Sequence, residues 1–345
     1  MESRQLVEGY EVSPIIKGGW QLATDHSDDR SATPVEDMFA FVDRGITTFD
    51  CADIYTGVEA LIGEFRATYE ERRGEPAPIN VHTKFVPDRS RLDEVTPEYV
   101  ERIIDRSRER LGVETLDLVQ FHWWDFDTPG YVDAARTLAD LRERGKIAHV
   151  GVTNFDRDHL AELVDAGVPV VSNQVQYSLL DRRPERRLAD YCRANDIGLL
   201  CYGSLAGGFL TDAYRGAPEP TGEMENRSLT KYELIIEEAG GWERYQSLLD
   251  TVGEVAAKHD ASVANVATAF VLDRPAVRAA IVGARNTDHL EDTVRTPEVS
   301  LDTEDVARLE AATDDLRDVP GEVYGLEREP GGRHAEIMKY ELNEE

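Results

Sequence analysis

The sequence predicts an α/β fold, most simply a closed (β/α)₈ barrel in which eight parallel strands alternate with helices. Eight short apolar runs alternate with amphipathic stretches along the 345 residues, at a repeat close to the length of one βα unit. A doubly wound sheet is the alternative. That fold usually carries a G-x-G-x-x-G turn after its first strand, and this sequence has none.

The predicted strands are the apolar runs at residues 13–20, 47–52, 79–85, 116–123, 148–152, 170–175, 199–204 and 279–283. The predicted helices are the amphipathic stretches at residues 34–44, 58–69, 97–111, 132–143, 156–165 and 185–194. The helix at 97–111 has Thr96 at its N-cap, Pro97 in its first turn and Gly112 after its end, as helices commonly do.

We expect residues 1–345 to form a single barrel domain, with three segments outside the βα repeat. Residues 1–12 are expected to form a short hairpin at the bottom of the barrel. Residues 205–242 form a long loop after the seventh strand, and such loops are often functional. Residues 317–345 are a polar C-terminal extension that either folds back over the barrel or hangs free.

The charge balance excludes some partners. The formal net charge is −30, from 38 lysines and arginines against 68 aspartates and glutamates. This argues against nucleic acid or an anionic membrane surface as partner. Only six of the basic residues are lysines, a composition typical of halophilic cytosolic proteins, whose self-repulsion is screened by salt. An ordinary acidic bacterial enzyme is the alternative interpretation.

The cysteines and the apolar runs indicate a compartment. Cys51, Cys192 and Cys201 are odd in number and widely spaced, which fits a reducing cytosol rather than a disulfide framework or a zinc site. No apolar run approaches the length of a membrane span, and the N-terminus lacks a signal-peptide core. We therefore expect a soluble cytoplasmic protein.

Four ionisable residues stand at three successive predicted strand ends. Asp50 and Tyr55 follow the second strand, Lys84 ends the third and His122 ends the fourth. Each alone has an ordinary explanation as a turn cap, a packing residue, a surface lysine or a hydrogen-bonded core histidine. Because active sites of such barrels lie at the carboxyl ends of the strands, we expect all four in one pocket.

This set of residues suits carbonyl reduction. A tyrosine with a pKa near 10 is a poor acid at neutral pH, and a nearby ammonium is expected to lower that pKa. In this hypothesis, Asp50 keeps Lys84 charged and oriented. Tyr55 passes a proton to the forming alkoxide, while His122 donates a hydrogen bond to the substrate oxygen.

Several segments, in this order along the chain, resemble the aldo-keto reductase family. They are "GITTFDCADIYTGVEALIGEF", "VHTKF", "LDLVQFHWWD", "GVTNF" and "NQVQYSLLDRR", and the resemblance covers roughly residues 10–316. It implies a (β/α)₈ barrel and a nicotinamide cofactor bound without a Rossmann fold. It also implies the catalytic tetrad Asp50, Tyr55, Lys84 and His122.

The same resemblance implies residues that bind the cofactor. Thr153, Asn154 and Gln174 match positions that hydrogen-bond the nicotinamide carboxamide, and Tyr202 matches the aromatic residue stacked under the ring. Ser204, Leu205 and Gly208 match the loop around the pyrophosphate. From the residues alone, Asn154 is equally explained as a helix cap and Gln174 as a satisfied amide at a strand end.

The segment "VGARNTDHLEDTV", residues 282–294, matches the region that holds the adenosine 2′-phosphate in NADP-dependent members. Gly283 is expected to let backbone N–H groups approach the phosphate, Arg285 to pair with it and Asp292 to meet the adenine. His289 and Thr293 depart from the usual pattern of this segment. NADP is therefore the expected cofactor, with NAD possible.

The substrate pocket is expected to be aromatic, which fits a sugar, an aldehyde or a ketone. Its candidate residues are Trp20, Phe85, Trp123, Trp124 and Phe126, although an extended backbone requires Trp123 and Trp124 to point to opposite sides. We expect residues 218–226 to cover the cofactor and the tail after Gly321 to lie near the substrate. The sequence indicates no oligomeric state.

Two other functions remain open at this point. A Schiff-base lyase would use Lys84 as its nucleophile, although a charged lysine held by Asp50 is a poor one. A nucleotide-sensing binding module, like the potassium channel β subunits related to the reductase family, would bind the cofactor without turnover. The complete tetrad argues against the sensor.

Overall fold

The computed structural model describes residues 1–23 and 31–343. Two antiparallel strands, β1 (Arg4–Val7) and β2 (Tyr10–Val12), precede a closed parallel barrel. The barrel strands are β3 (Ile15–Gly18), β4 (Thr48–Asp50), β5 (Asn80–Phe85), β6 (Leu116–Phe121), β7 (Ile147–Thr153), β8 (Val170–Gln176), β9 (Gly198–Tyr202) and β10 (Val277–Gly283). They pair in chain order, and β10 closes against β3, which confirms the predicted fold class.

Helices cover the outside of the barrel and form part of its upper rim. They are α1 (Pro34–Asp43), α2 (Val58–Arg73), α3 (Pro97–Leu111), α4 (Tyr131–Glu143), α5 (Arg157–Asp165), α6 (Arg183–Arg186), α7 (Leu188–Ala194), α8 (Arg227–Glu238), α9 (Trp242–Lys258), α10 (Val263–Leu272), α11 (Leu290–Thr293), α12 (Thr303–Asp314), α13 (Gly325–Arg328) and α14 (Arg333–Glu336). Short 3₁₀ turns lie at Trp20–Leu22, Arg89–Glu94, Ala206–Gly208, Asp212–Tyr214 and Thr296–Glu298.

Two expectations about these elements need correction. The helix expected at 185–194 is two short helices, because the backbone at Arg187 (φ −138°, ψ −30°) leaves helical geometry between α6 and α7. Residues 205–242 are not a loop throughout, since they contain the twelve-residue helix α8. Asn226 caps that helix with its side-chain oxygen, which accepts from the Leu229 amide.

The N-terminal hairpin packs against the inside of the barrel at its lower end. Leu6, Tyr10 and Val12 form an apolar cluster with residues of five barrel strands: Ile16, Val171, Leu118, Leu200, Ala279 and Ile281. The Tyr10 hydroxyl lies 3.1 Å from Nε2 of the fully buried His82. This cluster closes the lower end of the barrel with side chains, so the polar interior groups are gathered towards the carboxyl ends of the strands.

The C-terminal extension folds back over the barrel as far as it is described. The carboxylate of Asp88, which follows β5, accepts hydrogen bonds from the backbone amides of Leu342 and Asn343, each at 2.9 Å. Tyr340 packs its ring across Trp124 at 5.1 Å between centroids. In the part of the chain that the structure describes, no helix has the length and apolarity needed to cross a membrane.

Candidate active site

A buried polar network lies at the carboxyl ends of β4, β5, β6 and β8. The Asp50 carboxylate accepts from Lys84 Nζ at 2.7 Å, from Gln120 Nε2 at 3.0 Å and from Gln174 Nε2 at 2.6 Å. Lys84 also donates to the Cys51 carbonyl at 2.7 Å. The side chains of Asp50 and Lys84 are each only 5% exposed. A buried charge pair of this kind is tolerated because several hydrogen bonds satisfy it.

Tyr55 lies beside this pair. Its ring centroid is 5.1 Å from Lys84 Nζ and 4.9 Å from the centroid of the Trp20 ring. Burial raises the pKa of Tyr55 well above 10, and the nearby Asp50 carboxylate adds to the increase. The expected lowering of this pKa beside Lys84 is therefore not the net effect, because burial and the Asp50 carboxylate raise it. Tyr55 is a protonated phenol at neutral pH.

His122 is a neutral side chain whose two ring nitrogens have different surroundings. Burial, with a contribution from the Arg328 charge, lowers its pKa to about 3. Its Nδ1 lies 3.2 Å from the Thr153 carbonyl oxygen, which can only accept, so Nδ1 carries the single proton. Nε2 is buried without a hydrogen-bond partner among the described residues. Nε2 is thus an acceptor, which does not fit the expected donation to a substrate oxygen.

Of the five expected substrate residues, Trp20 and Trp124 lie next to the proposed catalytic side chains. Trp20 contacts Tyr55, and Trp124 packs edge-on against His122 at 4.4 Å between centroids. The indole nitrogen of Trp124 donates to the Pro87 carbonyl at 2.8 Å, which fixes the ring.

The other three aromatic residues are held in packing contacts. Phe85 is fully buried and contacts Phe121 and, on helix α3, Tyr99. Trp123 is fully buried and donates to the Thr128 carbonyl. Phe126 stacks on His159, and the Arg328 guanidinium also contacts its ring. Strand alternation places Phe85 and Trp123 opposite Lys84 and His122, so their expected pocket role does not fit.

The residues expected to bind a nicotinamide carboxamide lie together at the ends of β7, β8 and β9. Asn154 accepts a hydrogen bond from the Tyr202 hydroxyl at 2.8 Å, and Thr153 Oγ1 donates to the Gln174 carbonyl at 3.1 Å. The Gln174 amide nitrogen donates to Asp50 and to Gln120, so only its oxygen remains for a ligand. Asn154 has a left-handed backbone (φ 62°), which asparagine adopts more readily than most residues.

The turn after β9 contains the residues expected around a pyrophosphate. Ser204 Oγ lies 3.2 Å from Thr268 Oγ1, and the Leu205 carbonyl accepts from the Gly208 amide at 2.9 Å. Gly208 has φ 113°, a conformation that side chains strongly disfavour. Tyr232 of helix α8 covers this turn, since a Cβ added at Gly203 would lie 2.3 Å from its hydroxyl oxygen.

The segment after β10 carries the residues expected around an adenosine phosphate. A Cβ at Gly283 would lie 2.2 Å from the side-chain nitrogen of Gln21, whose buried oxygen has no hydrogen-bond partner among the described residues. Arg285 forms an ion pair with Glu225 at 3.5 Å. The Asp292 carboxylate accepts from the Ser262 hydroxyl at 2.7 Å, so part of its hydrogen-bonding capacity is already used.

Gln120, which is not among the residues predicted from the sequence, completes the Asp50 network. Gln120 Oε1 accepts from Gln174 at 2.9 Å while its nitrogen donates to Asp50. A signal for this residue was present, because Gln120 stands two positions before His122 and strand alternation puts both on one face.

Sequence reasoning places the tail after Gly321 near the substrate, but it does not identify the tail residues that contact the rim. Arg328 donates to three backbone carbonyls at the rim, those of Trp123 (2.8 Å), Asn154 (3.0 Å) and Trp124 (3.2 Å). Tyr324 stands edge-on to the His122 ring at 5.4 Å. The tail therefore fastens the segments that carry His122 and Asn154.

A second buried cluster joins the tail to helix α8. Glu327, whose side chain is fully buried, lies 3.1 Å from Lys231 and 3.7 Å from Arg183. Burial opposes ionisation of Glu327, but the two cations outweigh it and lower its pKa to about 2. Arg183 is in turn held by Asp181 at 2.7 Å. Two acidic and two basic side chains, whose charges cancel, thus hold the tail, helix α8 and the segment after β8 together at the upper rim.

A nicotinamide nucleotide, the group that the resemblance implies, fits these residues. The orphaned nitrogen of His122 and the orphaned oxygen of Gln21 are buried polar atoms of the kind that a bound ligand satisfies. The nicotinamide would contact Asn154, Gln174 and Tyr202. The pyrophosphate would contact the glycine-containing turn after β9. Chemically, the site holds a protonated phenol beside a fixed ammonium and a neutral imidazole acceptor.

The fold and the site together define a class, that of barrel enzymes with their polar groups at the carboxyl ends of the strands. The chain belongs to the aldo/keto reductase family, whose model matches residues 14–314. It is an oxidoreductase of the aldo-keto reductase type, a family that uses NAD(P)H and acts on small carbonyl compounds. This membership favours the oxidoreductase over the lyase and the sensor.

Individual relatives are distant. The chain is 29% identical over 314 residues to flagellar radial spoke protein 5 of Chlamydomonas reinhardtii; the match covers 78% of this chain and 59% of that protein. It is 26% identical over 227 residues to an NADH-specific methylglyoxal reductase of Escherichia coli, covering 65% of this chain and 67% of the relative. A glycerol dehydrogenase structure from Gluconobacter oxydans matches with a TM-score of 0.76 at 24% identity, covering 93% and 97% of the two chains, and supports the fold.

Proposed function

We propose that this chain interconverts a small carbonyl compound, an aldehyde, ketone or sugar, and the corresponding alcohol by hydride transfer with an NAD(P) cofactor. The observation that carries the proposal is the placement of the Tyr55 phenol beside the buried Lys84–Asp50 pair. The tetrad Asp50, Tyr55, Lys84 and His122 is proposed to be catalytic.

In this mechanism the cofactor supplies the hydride. Tyr55 is protonated at neutral pH, because burial raises its pKa, and donates its proton to the substrate oxygen as negative charge develops there. Lys84 lies beside the ring, and its positive charge stabilises the phenolate that remains. Asp50, held by Gln120 and Gln174, keeps the ammonium in place.

His122 has an acceptor role in this scheme. Nδ1 carries the single ring proton and donates it in a hydrogen bond to the Thr153 carbonyl. Nε2 can therefore accept a hydrogen bond from a hydroxyl of the substrate or of the alcohol product. Tyr55 is then the donor to the reacting carbonyl oxygen. Trp20 and Trp124 are proposed to form the apolar walls beside these groups.

The proposed cofactor is NADP, with NAD as the alternative. Arg285 follows β10 and supports NADP, because a guanidinium pairs well with a phosphate. Its ion pair with Glu225 and the NADH specificity in the name of the Escherichia coli relative support NAD. We further propose a cytoplasmic location and a halophilic surface, which the net charge of −30 with few lysines supports.

The direct test measures nucleotide binding and turnover separately. NADPH and NADH are titrated against the intrinsic tryptophan fluorescence, and a panel of aldehydes, ketones and sugars is then assayed by nucleotide absorbance. We expect quenching by at least one nucleotide and turnover of at least one carbonyl. Failure of both nucleotides to bind would contradict the proposal. If a nucleotide binds without turnover, and binds Tyr55→Phe equally well, the result would instead support a sensor. Trapping of a substrate adduct on Lys84 by borohydride would support a lyase.

A further inference from the structure

We infer that Glu225 is a specificity-determining residue that favours NADH over NADPH by its contact with Arg285. The inference rests on the proposed function, because it takes the cofactor to lie across the loops after β9 and β10. Glu225 belongs to the first of these loops and Arg285 to the second, and their charged groups are 3.5 Å apart. The pair therefore bridges the two segments proposed to hold the pyrophosphate and the adenosine.

The position of Glu225 is set by the structure that follows it. Asn226, the next residue, is the N-cap of helix α8, and its side-chain oxygen accepts a hydrogen bond from the Leu229 amide at 3.0 Å. Farther along α8, Tyr232 packs onto the turn after β9, and Lys231 pairs with the buried Glu327. The helix is thus fixed at two points, and its N-terminal end places Glu225 within 3.5 Å of Arg285.

The charges of the segment that carries Arg285 do not match a 2′-phosphate. The segment 282–294 contains one cation, Arg285, together with the acids Asp288, Glu291 and Asp292. A phosphate monoester carries about −1.5 to −2 charges at neutral pH. With Glu225 on the arginine, a 2′-phosphate must displace a carboxylate and then remain beside it.

A 2′-hydroxyl meets no such penalty. A carboxylate at this position can accept a hydrogen bond from the ribose hydroxyl, which is how acidic residues favour NAD in other nucleotide sites, while arginine favours the 2′-phosphate of NADP. Arg285 alone would thus favour NADPH, and Glu225 opposes that preference. The choice between the two cofactors depends on the pair rather than on the arginine.

The experiment compares dissociation constants for NADPH and NADH in the wild type, in Glu225→Gln and in Glu223→Gln. Glu223 is an exposed acid two residues away, so its variant makes the same change in net charge without removing the Arg285 contact. Both replaced side chains are exposed, so we expect wild-type melting temperatures. In Glu225→Gln we expect NADPH to bind about 3- to 5-fold more tightly, the upper range for an exposed ion pair, with NADH unchanged or slightly weaker.

The possible outcomes distinguish failure of the role inferred for Glu225 from failure of the proposed function. A ratio of the two dissociation constants in Glu225→Gln within about twofold of the wild-type ratio would overturn the inference while leaving the proposed function intact. An equal shift in Glu223→Gln would also overturn it, since the effect would then be one of net charge alone. If neither nucleotide bound the wild type, the proposed function would fail and the inference with it.

Discussion

Lys84 and Asp50 form a buried ion pair of 2.7 Å whose two side chains are each 5% exposed, and the Tyr55 ring lies 5.1 Å from the same ammonium. Burial and the Asp50 carboxylate together raise the pKa of the Tyr55 phenol in spite of the neighbouring ammonium. The positive end of the pair nevertheless faces the ring that would carry a negative charge when Tyr55 gives up its proton. The proposed proton transfer therefore depends on a charge that is fixed before the reaction.

Replacing Tyr55 with phenylalanine removes the proposed proton donor and little else. We expect kcat to fall about 100-fold or more, the scale of a lost general acid, while the dissociation constants of the nucleotides stay within about twofold of wild type. Steady-state kinetics measure the change in kcat, and fluorescence titration measures the dissociation constants of the nucleotides. Full activity in Tyr55→Phe would contradict the assigned role, and a matched loss of nucleotide binding would indicate a structural defect instead.

Replacing Arg285 with alanine removes the proposed partner of a 2′-phosphate. We expect NADPH to bind more weakly by about 10-fold or more, with a smaller effect on NADH, because a charge-assisted contact is lost only for the phosphorylated nucleotide. Fluorescence titration with both nucleotides measures the difference. Equal weakening of the two would remove the assigned role of Arg285.

Replacing Arg328 with methionine removes the hydrogen bonds from the tail to the carbonyls of Trp123, Trp124 and Asn154. Hydrogen bonds to a charged group contribute about 1.5–3 kcal/mol each, so we expect a clear drop in melting temperature and a higher KM for the carbonyl substrate. Arg333→Met is the control, since Arg333 lies in the same tail and its partner is the half-exposed Glu237. Identical behaviour of the two variants would argue against a positioning role for Arg328.

Two of the buried histidines, His82 and His122, give the protein a specific acid sensitivity. Burial lowers the pKa of both His82 and His122 to about 3, against 6.5 for an unfolded chain. Because protons bind the unfolded state more tightly, the stability from each neutral ring is complete above about pH 6.5 and is lost as pH falls towards 3.

Chemical denaturation between pH 7 and pH 4 measures this loss. We expect the wild type to lose more stability over that range than His82→Asn does, since the variant lacks one of the two groups. Equal pH dependence would show that His82 does not remain neutral in the folded protein. Activity between pH 5 and 8 is expected to be independent of His122 titration, because its pKa lies well below that range.

Salt is expected to stabilise the folded chain. The net charge of −30 produces self-repulsion that is strongest at low ionic strength, where the Debye length is about 30 Å at 0.01 M and about 8 Å at 0.15 M. Added salt also weakens exposed ion pairs such as Arg72–Glu36, but pairs of this kind contribute little to stability. We expect the melting temperature to rise with KCl, most steeply below about 0.5 M. A melting temperature that is flat or falls in KCl would contradict the proposed halophilic surface.

The sequence by itself determined the barrel and the Asp50–Lys84 contact. Strand and helix periodicity are local properties, and parallel strands place their carboxyl ends together, so residues at successive strand ends must converge. The same alternation could have identified Gln120, which stands two positions before His122. It could also have excluded Phe85, which is adjacent to Lys84 and therefore faces the other side of its strand.

Tertiary structure decided the features that depend on distant segments or on burial. The protonation of Tyr55 and of His122 follows from desolvation and from one backbone carbonyl, neither of which a linear pattern contains. The contacts of Arg328 with the rim and of Glu225 with Arg285 join residues from 60 to about 200 positions apart. Such pairings are set by how the loop helix and the tail pack onto the finished barrel, because no local propensity selects one distant partner over another.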